Sequence, residues 1–456
     1  MNRIKLYCTH SREKMEFTPV RNGQVKMYVC GPTVYDFAHI GNARPVVIFD
    51  LFYRMFLQSY GEANVTYVRN FTDVDDKINE RAKKLGIKIS ELTNNTIEDY
   101  LFDMDSLGAL RPNFMPRATD YIEHMIEMIK KLIGSNNAYS DNDGHVLFSV
   151  STFRNYGQLS RRTIEEMKAG ARVEVAENKR NPMDFVLWKP STEDQPGWES
   201  PWGRGRPGWH IECSAMSKEL LGDSFDIHGG GIDLAFPHHE NELAQSSCAN
   251  PGKKFAKYWL HNGMLTVEGN KMSKSLGNFV TVRELLEDGI SGDAIRLALI
   301  SSHYRQPLDW TKKRLNECSD IIKRWKDLVL EKKETGIQSN EFLEAIYDDL
   351  NTPKAISVMH SLAKNGDYEG LLASLRFMGF LDTLNAENKP KIESEVKKLV
   401  ETVIERRKKA KLDKNFELSD HLRDALSDAG VIIKDLKDGV EWECSYEFNI
   451  SKLKEI

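Results

Sequence analysis

The sequence predicts an α/β fold: a nucleotide-binding core on an open sheet, interrupted by an inserted subdomain and followed by a helical bundle and a small C-terminal α+β domain. Three observations predict it. Val25 to Arg69 reads as strand, helix, strand. After a stretch of different character, apolar strands and glycine-rich loops return over 183–260. From 320 to 390 the apolar spacing turns helical, as at Phe342, Ile346 and Leu350.

The first unit sets the site. Val25 to Val29 is a short apolar, β-branched run stopped by Gly31-Pro32. From about Gly41 the apolar residues Val46, Val47, Ile48, Phe49, Leu51, Phe52, Met55 and Phe56 predict a helix, with Pro45 tolerable only in its first turn. Asn64 to Arg69 is the second strand. The helix N-terminus therefore faces the loop holding His39, Gly41 and Asn42. Free N–H groups and the helix dipole there suit the phosphates of a nucleotide. From these residues alone, a tight turn with a surface histidine and an N-capping Asn42 reads equally well. The acidic run Asp73, Asp75, Asp76 follows the second strand, where an open sheet places its crevice; a helix N-terminus decorated with carboxylates is the alternative.

Residues 111–195 look inserted: Pro112, Pro116, a helix around Tyr121 to Ile133, a hairpin turning at Asp143-Gly144, and a charged, poorly periodic stretch over 160–182. Pro201 to His210 is too rich in glycine and proline for regular structure. Ile211 to Leu221 reads as a helix. Phe225 to His228 reads as a strand opening into Gly229-Gly230-Gly231. Pro237 begins a helix carrying His238, His239, Glu240, Asn241 and Glu242. On it His238 and Glu242, four apart, share a face; His239 with Glu242, three apart, is another pair.

Further on, Lys271-Met272-Ser273-Lys274-Ser275 precedes Gly277. Two cations three apart on a flexible loop can close on a polyphosphate and stabilise charge on a leaving pyrophosphate. Gly336 and Asn385 to Pro390 look like connections. The last segment has a basic helix through Arg406-Arg407-Lys408-Lys409, an amphipathic one through Leu422 and Leu426, and short strands at Val431–Ile433 and Val440–Trp442.

Composition bounds the rest. At about 100–200 residues per domain, 456 residues predict three or four domains, and 40% hydrophobic with 29% charged residues describes a soluble protein. No apolar stretch is long enough to span a bilayer, and the N-terminus has no apolar signal region, so a cytoplasmic location is expected. Six dispersed cysteines (Cys8, Cys30, Cys213, Cys248, Cys318, Cys444) form no CxxC pair and read as free thiols or metal ligands. A net charge of -5 means that any RNA contact rests on local basic residues.

Two of these stretches, His39-Ile40-Gly41-Asn42 and Lys271 to Ser275, resemble the HIGH and KMSKS signatures of class I aminoacyl-tRNA synthetases on a Rossmann-like core. KMSKS is intact; the first signature carries Asn42 in place of its second histidine. Three further stretches, Cys30 to Tyr35, Gly208 to Cys213, and His228 through Pro237 to Glu242, resemble cysteinyl-tRNA synthetases. The resemblance runs over essentially the whole chain.

The resemblance implies ATP-dependent activation of L-cysteine and its transfer to tRNA-Cys. It implies one Zn2+ per chain on Cys30, Cys213, His238 and Glu242, which would separate thiolate from hydroxyl where pocket shape cannot. It implies ATP, with Mg2+, at His39, Gly41, Asn42, His228, Asp233 and Lys274, with His39, Asn42, Lys271 and Lys274 catalytic. Thr72, Trp209 and His238 would bind the amino acid. The implied domains are a catalytic core at 1–110 and 196–260, a connective insertion at 111–195, a stem-contact region at 261–320, a bundle at 321–394 and an anticodon-binding domain at 395–456, where Trp442 would stack on a base. A monomer without membrane partners is expected. Two competitors are a cysteine ligase of the mycothiol type, against which the segment 395–456 argues, and a non-catalytic RNA-binding paralogue, against which His39, Lys271 and Lys274 argue.

Overall fold

A computed structural model of the protein describes residues 3–162, 179–273, 276–330, 332, 337–380, 394–413, 415–436, 439–444 and 452–453. Lys274, Ser275, Gly336, Asn385 to Pro390 and much of the charged stretch 160–182 lie outside the described residues. The chain divides into two compact units, Met1–Asp382 and Thr383–Ile456.

The first unit is built on β1 (Val25–Val29), α1 (Ile40–Tyr60), β2 (Val65–Arg69), α2 (Trp209–Leu221), β3 (Phe225–Gly231), α3 (His238–Ala249) and β4 (Ala256–Asn262). The four strands are parallel, in the order β4-β3-β1-β2. Val25, Met27, Tyr28 and Val29 are all buried, and only Lys26 of β1 is partly exposed, as suits a central parallel strand. Strand order reverses between β1 and β3, and ligands bind at the carboxyl ends of strands at such a point. Cys30 and Gly229–Gly231 sit there. Gly229 cannot carry a side chain, because a Cβ would run into the Phe49 ring of α1.

Helix α1 starts at Ile40, one residue earlier than the sequence suggests, because His39 caps it. Pro45 therefore falls past the first turn. It leaves the carbonyl of Gly41 without its usual donor, and the burial of Val47, Phe49, Leu51, Phe52, Met55 and Phe56 holds the helix regardless.

The insertion carries a four-stranded antiparallel sheet of Ala138–Ser140, Val146–Phe148, Phe185–Pro190 and Gly205–Pro207. Pro201 to His210 is thus more regular than its composition suggests: it holds a strand and the first turn of α2. Its glycines serve close approach, since a Cβ at Gly205 would meet the Trp188 ring and one at Gly208 the carbonyl of Val186.

After β4, Leu265–Val267 pairs with Asn270–Lys271 and Leu308–Trp310. Helix α4 (Val282–Glu287) follows, started by a Thr281–Glu284 capping box. Five helices then pack as a bundle: Gly292–Ile300, Lys312–Val329, Asn340–Tyr347, Thr352–Asn365 and Tyr368–Phe377. The period Phe342, Ile346, Leu350 overruns its helix, which ends at Tyr347. Asp349, at φ +60, leaves the helix. Its carboxylate accepts from Tyr7 N–H at 2.8 Å, Tyr304 O–H at 2.8 Å and Arg305 Nε at 2.9 Å. Leu350 still reaches the core, so burial continues the pattern where the helix does not.

The second unit pairs helices Ser394–Leu412 and Phe416–Asp428 with a hairpin of Val431–Leu436 and Gly439–Cys444, around Val400, Val403, Leu422, Leu426 and Val431.

Candidate active site

The acidic run is structural. Asp75 caps the helix Asp76–Leu85. Asp73 accepts from Thr119 N–H at 3.0 Å and its hydroxyl at 2.7 Å. Asp76 pairs with Arg206 at 2.8 Å and Lys189 at 3.2 Å.

Above the switch point lies a cleft of about 340 Å³ whose lining includes Cys30, His39, Gly41, Asn42, Asp233 and Lys271. The N-cap of α1 is His39, not Asn42: His39 Nδ1 accepts from Asn42 N–H at 3.2 Å, and Asn42 Oδ1 accepts from His39 N–H at 3.3 Å. This reciprocal box uses the Asn42 N–H and sets the positive end of the α1 dipole beside the cleft. Gly41 lets the backbone approach closely, since a Cβ would lie 2.8 Å from His39 Nδ1 and 3.3 Å from Met272.

The basic stretch is tied to this terminus. Ile40 N–H donates to Val280 O at 3.0 Å, Val282 N–H donates to Ala38 O at 2.9 Å, and the Phe279 ring stands edge-on to His39 at 5.1 Å. Asn278 closes the loop, accepting from Ser273 N–H at 2.9 Å and donating to Lys271 O at 3.2 Å. Two stretches distant in sequence thus face one cleft, and both offer positive potential to an anion.

The other end of the site is a cluster of soft donors. Cys30 Sγ lies 3.7 Å from Cys213 Sγ and 3.4 Å from Glu242 Oε1, and His238 Nε2 lies 3.0 Å from Glu242 Oε1. One donor atom from each of Cys30, Cys213, His238 and Glu242 lies within 4.8 Å of every other. Cys30 leaves the end of β1, Cys213 comes from α2, and His238 and Glu242 share one face of α3. These residues fit a four-coordinate metal. Two Zn–S bonds of about 2.3 Å at a tetrahedral angle place their sulfurs about 3.8 Å apart. Glu242 Oε2 is buried and lacks an aligned hydrogen bond, although His228 Nε2 is 3.1 Å away. Burial raises both thiols above their ordinary range, and Glu242 pushes the same way; a divalent cation among them would reverse this.

A second set, Cys30, His228, His239 and Glu242, is equally close-knit. His228 therefore belongs to the soft-donor end. It does not line the cleft; its ring stacks on Tyr28 at 5.4 Å and meets Trp259 at 4.7 Å.

Thr72 is buried and donates to Glu212 Oε2 at 2.8 Å, and its N–H and C=O bond Pro32 O and Val34 N–H at 3.1 Å each. It thus fixes the loop after Cys30. Trp209 opens α2, is 41% exposed and stacks on His238 at 4.2 Å, forming a wall beside the cluster. Sequence reasoning missed His210 and His261. His210 Nδ1 meets His238 Nδ1 at 2.9 Å, and His261 Nε2 meets His239 Nδ1 at 2.8 Å. Burial holds both His210 and His261 at about 3, hence neutral. His210 stood inside a motif already singled out; His261 gave no local signal. Of the remaining cysteines, Cys8 and Cys318 are buried packing residues.

Comparison with known proteins follows the same lines. The family of tRNA synthetases class I (C) catalytic domain matches residues 16–320, and the DALR domain matches 341–366. The chain is 53% identical over 455 residues to the cysteine–tRNA ligase of Ruegeria sp. (strain TM1040), covering 100% of this chain and 99% of the relative. It is 54% identical over 444 residues to that of Ruegeria pomeroyi, covering 96% and 95%. Among solved structures, Mycobacterium tuberculosis methionyl-tRNA synthetase in complex with methionyl-adenylate superposes with a TM-score of 0.55 at 14% identity, over 80% of this chain and 92% of that one. The LeuRS of Agrobacterium radiobacter K84 superposes with a TM-score of 0.56 at 12% identity, over 80% and 84%. At such identities the two structures speak for the fold.

Proposed function

The chain belongs to the cysteine–tRNA ligase family of class I tRNA synthetases, and we propose how its residues divide the work. The reaction activates L-cysteine with ATP and transfers it to tRNA-Cys. The amino acid lies with its sulfur at Cys30, Cys213, His238 and Glu242, beside Trp209 and Thr72. ATP lies across the carboxyl ends of β1, β3 and β4. Its phosphates face His39, Asn42 and the positive end of the α1 dipole, and its ribose faces Asp233. Its base faces the segment 262–265. Lys271 lines the same cleft, and Lys274 is assigned to the phosphates with it.

Zinc is the metal the donor set favours: two thiolates, one imidazole and one carboxylate are a soft tetrahedral set. When bound it supplies a Lewis acid that takes a substrate thiolate and leaves a neutral hydroxyl, so cysteine is separated from serine. The 3.7 Å separation of the two cysteine sulfurs carries this reading. Thr72 and Trp209 orient the amino acid so that its carboxylate meets the α-phosphate. The carboxylate oxygen attacks, pyrophosphate leaves, and Lys271, Lys274, His39 and Asn42 stabilise the charge that develops. No side chain need act as nucleophile, so catalysis is positioning and electrostatics. A hydroxyl of the terminal tRNA adenosine then takes the cysteinyl group. Mg2+ on the phosphates, a monomer and a cytoplasmic location complete the proposal.

The second unit is assigned to tRNA. Trp442 lines a groove with Arg406, Lys409, Glu401 and Glu405, and its indole suits a stacked base. The full chain should catalyse cysteine-dependent ATP–pyrophosphate exchange and charge tRNA-Cys. A chain ending at residue 382 should keep exchange and lose charging. Absence of exchange with zinc present would favour a non-catalytic RNA-binding protein, and equal loss of both activities in a folded truncation would return the second unit to a supporting role.

A further inference from the structure

We infer that Arg44 is a positioning residue that builds the base-reading end of the ATP cleft by gathering the carbonyls of Gly263, Met264 and Gln306. The inference rests on the placement of ATP proposed above. Arg44 stands two residues beyond Asn42 on α1, is fully buried, and borders the cleft. Its Nη1 donates to Gly263 O at 2.7 Å and Met264 O at 2.8 Å. Its Nη2 donates to Gln306 O at 2.8 Å, with Ser302 Oγ at 3.3 Å and Tyr304 O at 3.5 Å. Among the described residues no carboxylate pairs with it: its partners are carbonyls and one hydroxyl. Burial lowers its pKa only to about 10, so it remains a cation at neutral pH.

The geometry explains why an arginine stands here. The chain leaves β4 at Asn262, turns through Gly263 and Met264, and enters the strand Leu265–Val267. Asn262, Gly263, Met264 and Leu265 all line the cleft. Gly263 is pressed onto the 304–306 loop: its N–H donates to Tyr304 O at 2.7 Å, and a Cβ would collide with Gln306 O. Carbonyls of two different segments therefore converge at one place, which is unfavourable unless a multidentate donor satisfies them. A planar guanidinium does this and a lysine ammonium cannot, because its single nitrogen does not span the separate acceptors. The clamp fixes the backbone edge that faces the nucleobase, while the helix that carries Arg44 also carries the phosphate-binding terminus. One rigid element thus sets the distance between the two ends of the nucleotide.

Arg44 acts through the backbone, so the test needs a readout that mere loss of stability would not move. Inosine presents an acceptor at position 6 and a donor at N1, where adenine presents the reverse, so the ratio of ATP to ITP use in cysteine-dependent pyrophosphate exchange reports the base-reading edge. Arg44→Lys should raise KM for ATP and shrink the ATP-to-ITP ratio, each by roughly tenfold or more, the scale of misplacing one directed hydrogen bond, with KM for cysteine unchanged. Gly263→Ala, which pushes the same turn off the 304–306 loop from the other side, should shrink the ratio likewise and serves if Arg44→Lys does not fold. A variant that is less stable or lower in kcat but keeps the wild-type ratio would overturn the inference and leave the placement of ATP standing. A wild-type protein that uses ITP as well as ATP would overturn the placement of the base, and the role of Arg44 with it.

Discussion

His210 Nδ1 lies 2.9 Å from His238 Nδ1. The contact fixes tautomers. For His238 to offer the Nε2 lone pair that faces Glu242, its proton must sit on Nδ1, and the neutral His210 is placed to accept it. The backbone carbonyl of His210 is itself held by Gln245 Nε2. Such partners orient a metal-binding imidazole and raise its basicity.

His210→Phe keeps a ring but removes the acceptor. The expected result is zinc affinity lower by about 10- to 100-fold, read by chelator competition, with little change in Tm. Unchanged affinity would mean that His238 needs no such partner.

Lys271 lines the cleft together with His39 and Asn42. Lys271→Ala should slow adenylate formation by about 10²–10³-fold, the usual scale for one oriented donor to a developing anion. The same loss is expected for Lys274→Ala. Cysteine affinity measured without ATP should hold; if it collapses in either variant, that lysine supports the fold instead.

Asp103 gives a pH signature of its own, outside the proposed metal donors. It accepts from Arg283 Nε at 2.9 Å, which docks α4 on the helix Ile89–Ser106. Burial nevertheless pushes its carboxyl up to about 6, because the guanidinium only partly offsets desolvation and Asp99 and Glu287 oppose ionisation. Since the folded pKa is raised, the stability linked to this proton is complete below the unfolded pKa near 3.8 and is lost as pH rises through about 6. Relative to Asp103→Asn, the wild type should therefore lose up to about 3 kcal/mol across that window. Urea melts of both proteins from acid to neutral pH measure it, and a constant difference between them would show that Asp103 ionises normally.

Local patterning carried much of this. The β1-α1-β2 unit and the helix terminus at the cleft follow from apolar runs and one Gly-Pro stop, and the four proposed metal donors follow from family resemblance. Spacing alone found only His238 and Glu242, which share a helix face. Cys30 and Cys213 are 183 residues apart and meet because α2 packs beside the end of β1, a pairing that no local period encodes. The strand Gly205–Pro207 was hidden by its own composition, since its one glycine, Gly205, answers contacts with Trp188 and Lys189 rather than a need for a turn. Leu350 kept the helical period while Asp349 took the backbone elsewhere. The clamp made by Arg44 is also silent in sequence, because all its closest partners are backbone carbonyls.

The central claim is that a zinc ion held by Cys30, Cys213, His238 and Glu242 selects cysteine by its thiolate. The direct measurement is pyrophosphate exchange with cysteine and with serine, in zinc-loaded protein and in protein stripped of metal, alongside the metal content of each. The account predicts about one zinc per chain, a strong preference for cysteine when loaded, and loss of cysteine-dependent exchange and of that preference together when stripped, both restored by zinc. Stripped protein that still activates cysteine and prefers it over serine as strongly as before would contradict it.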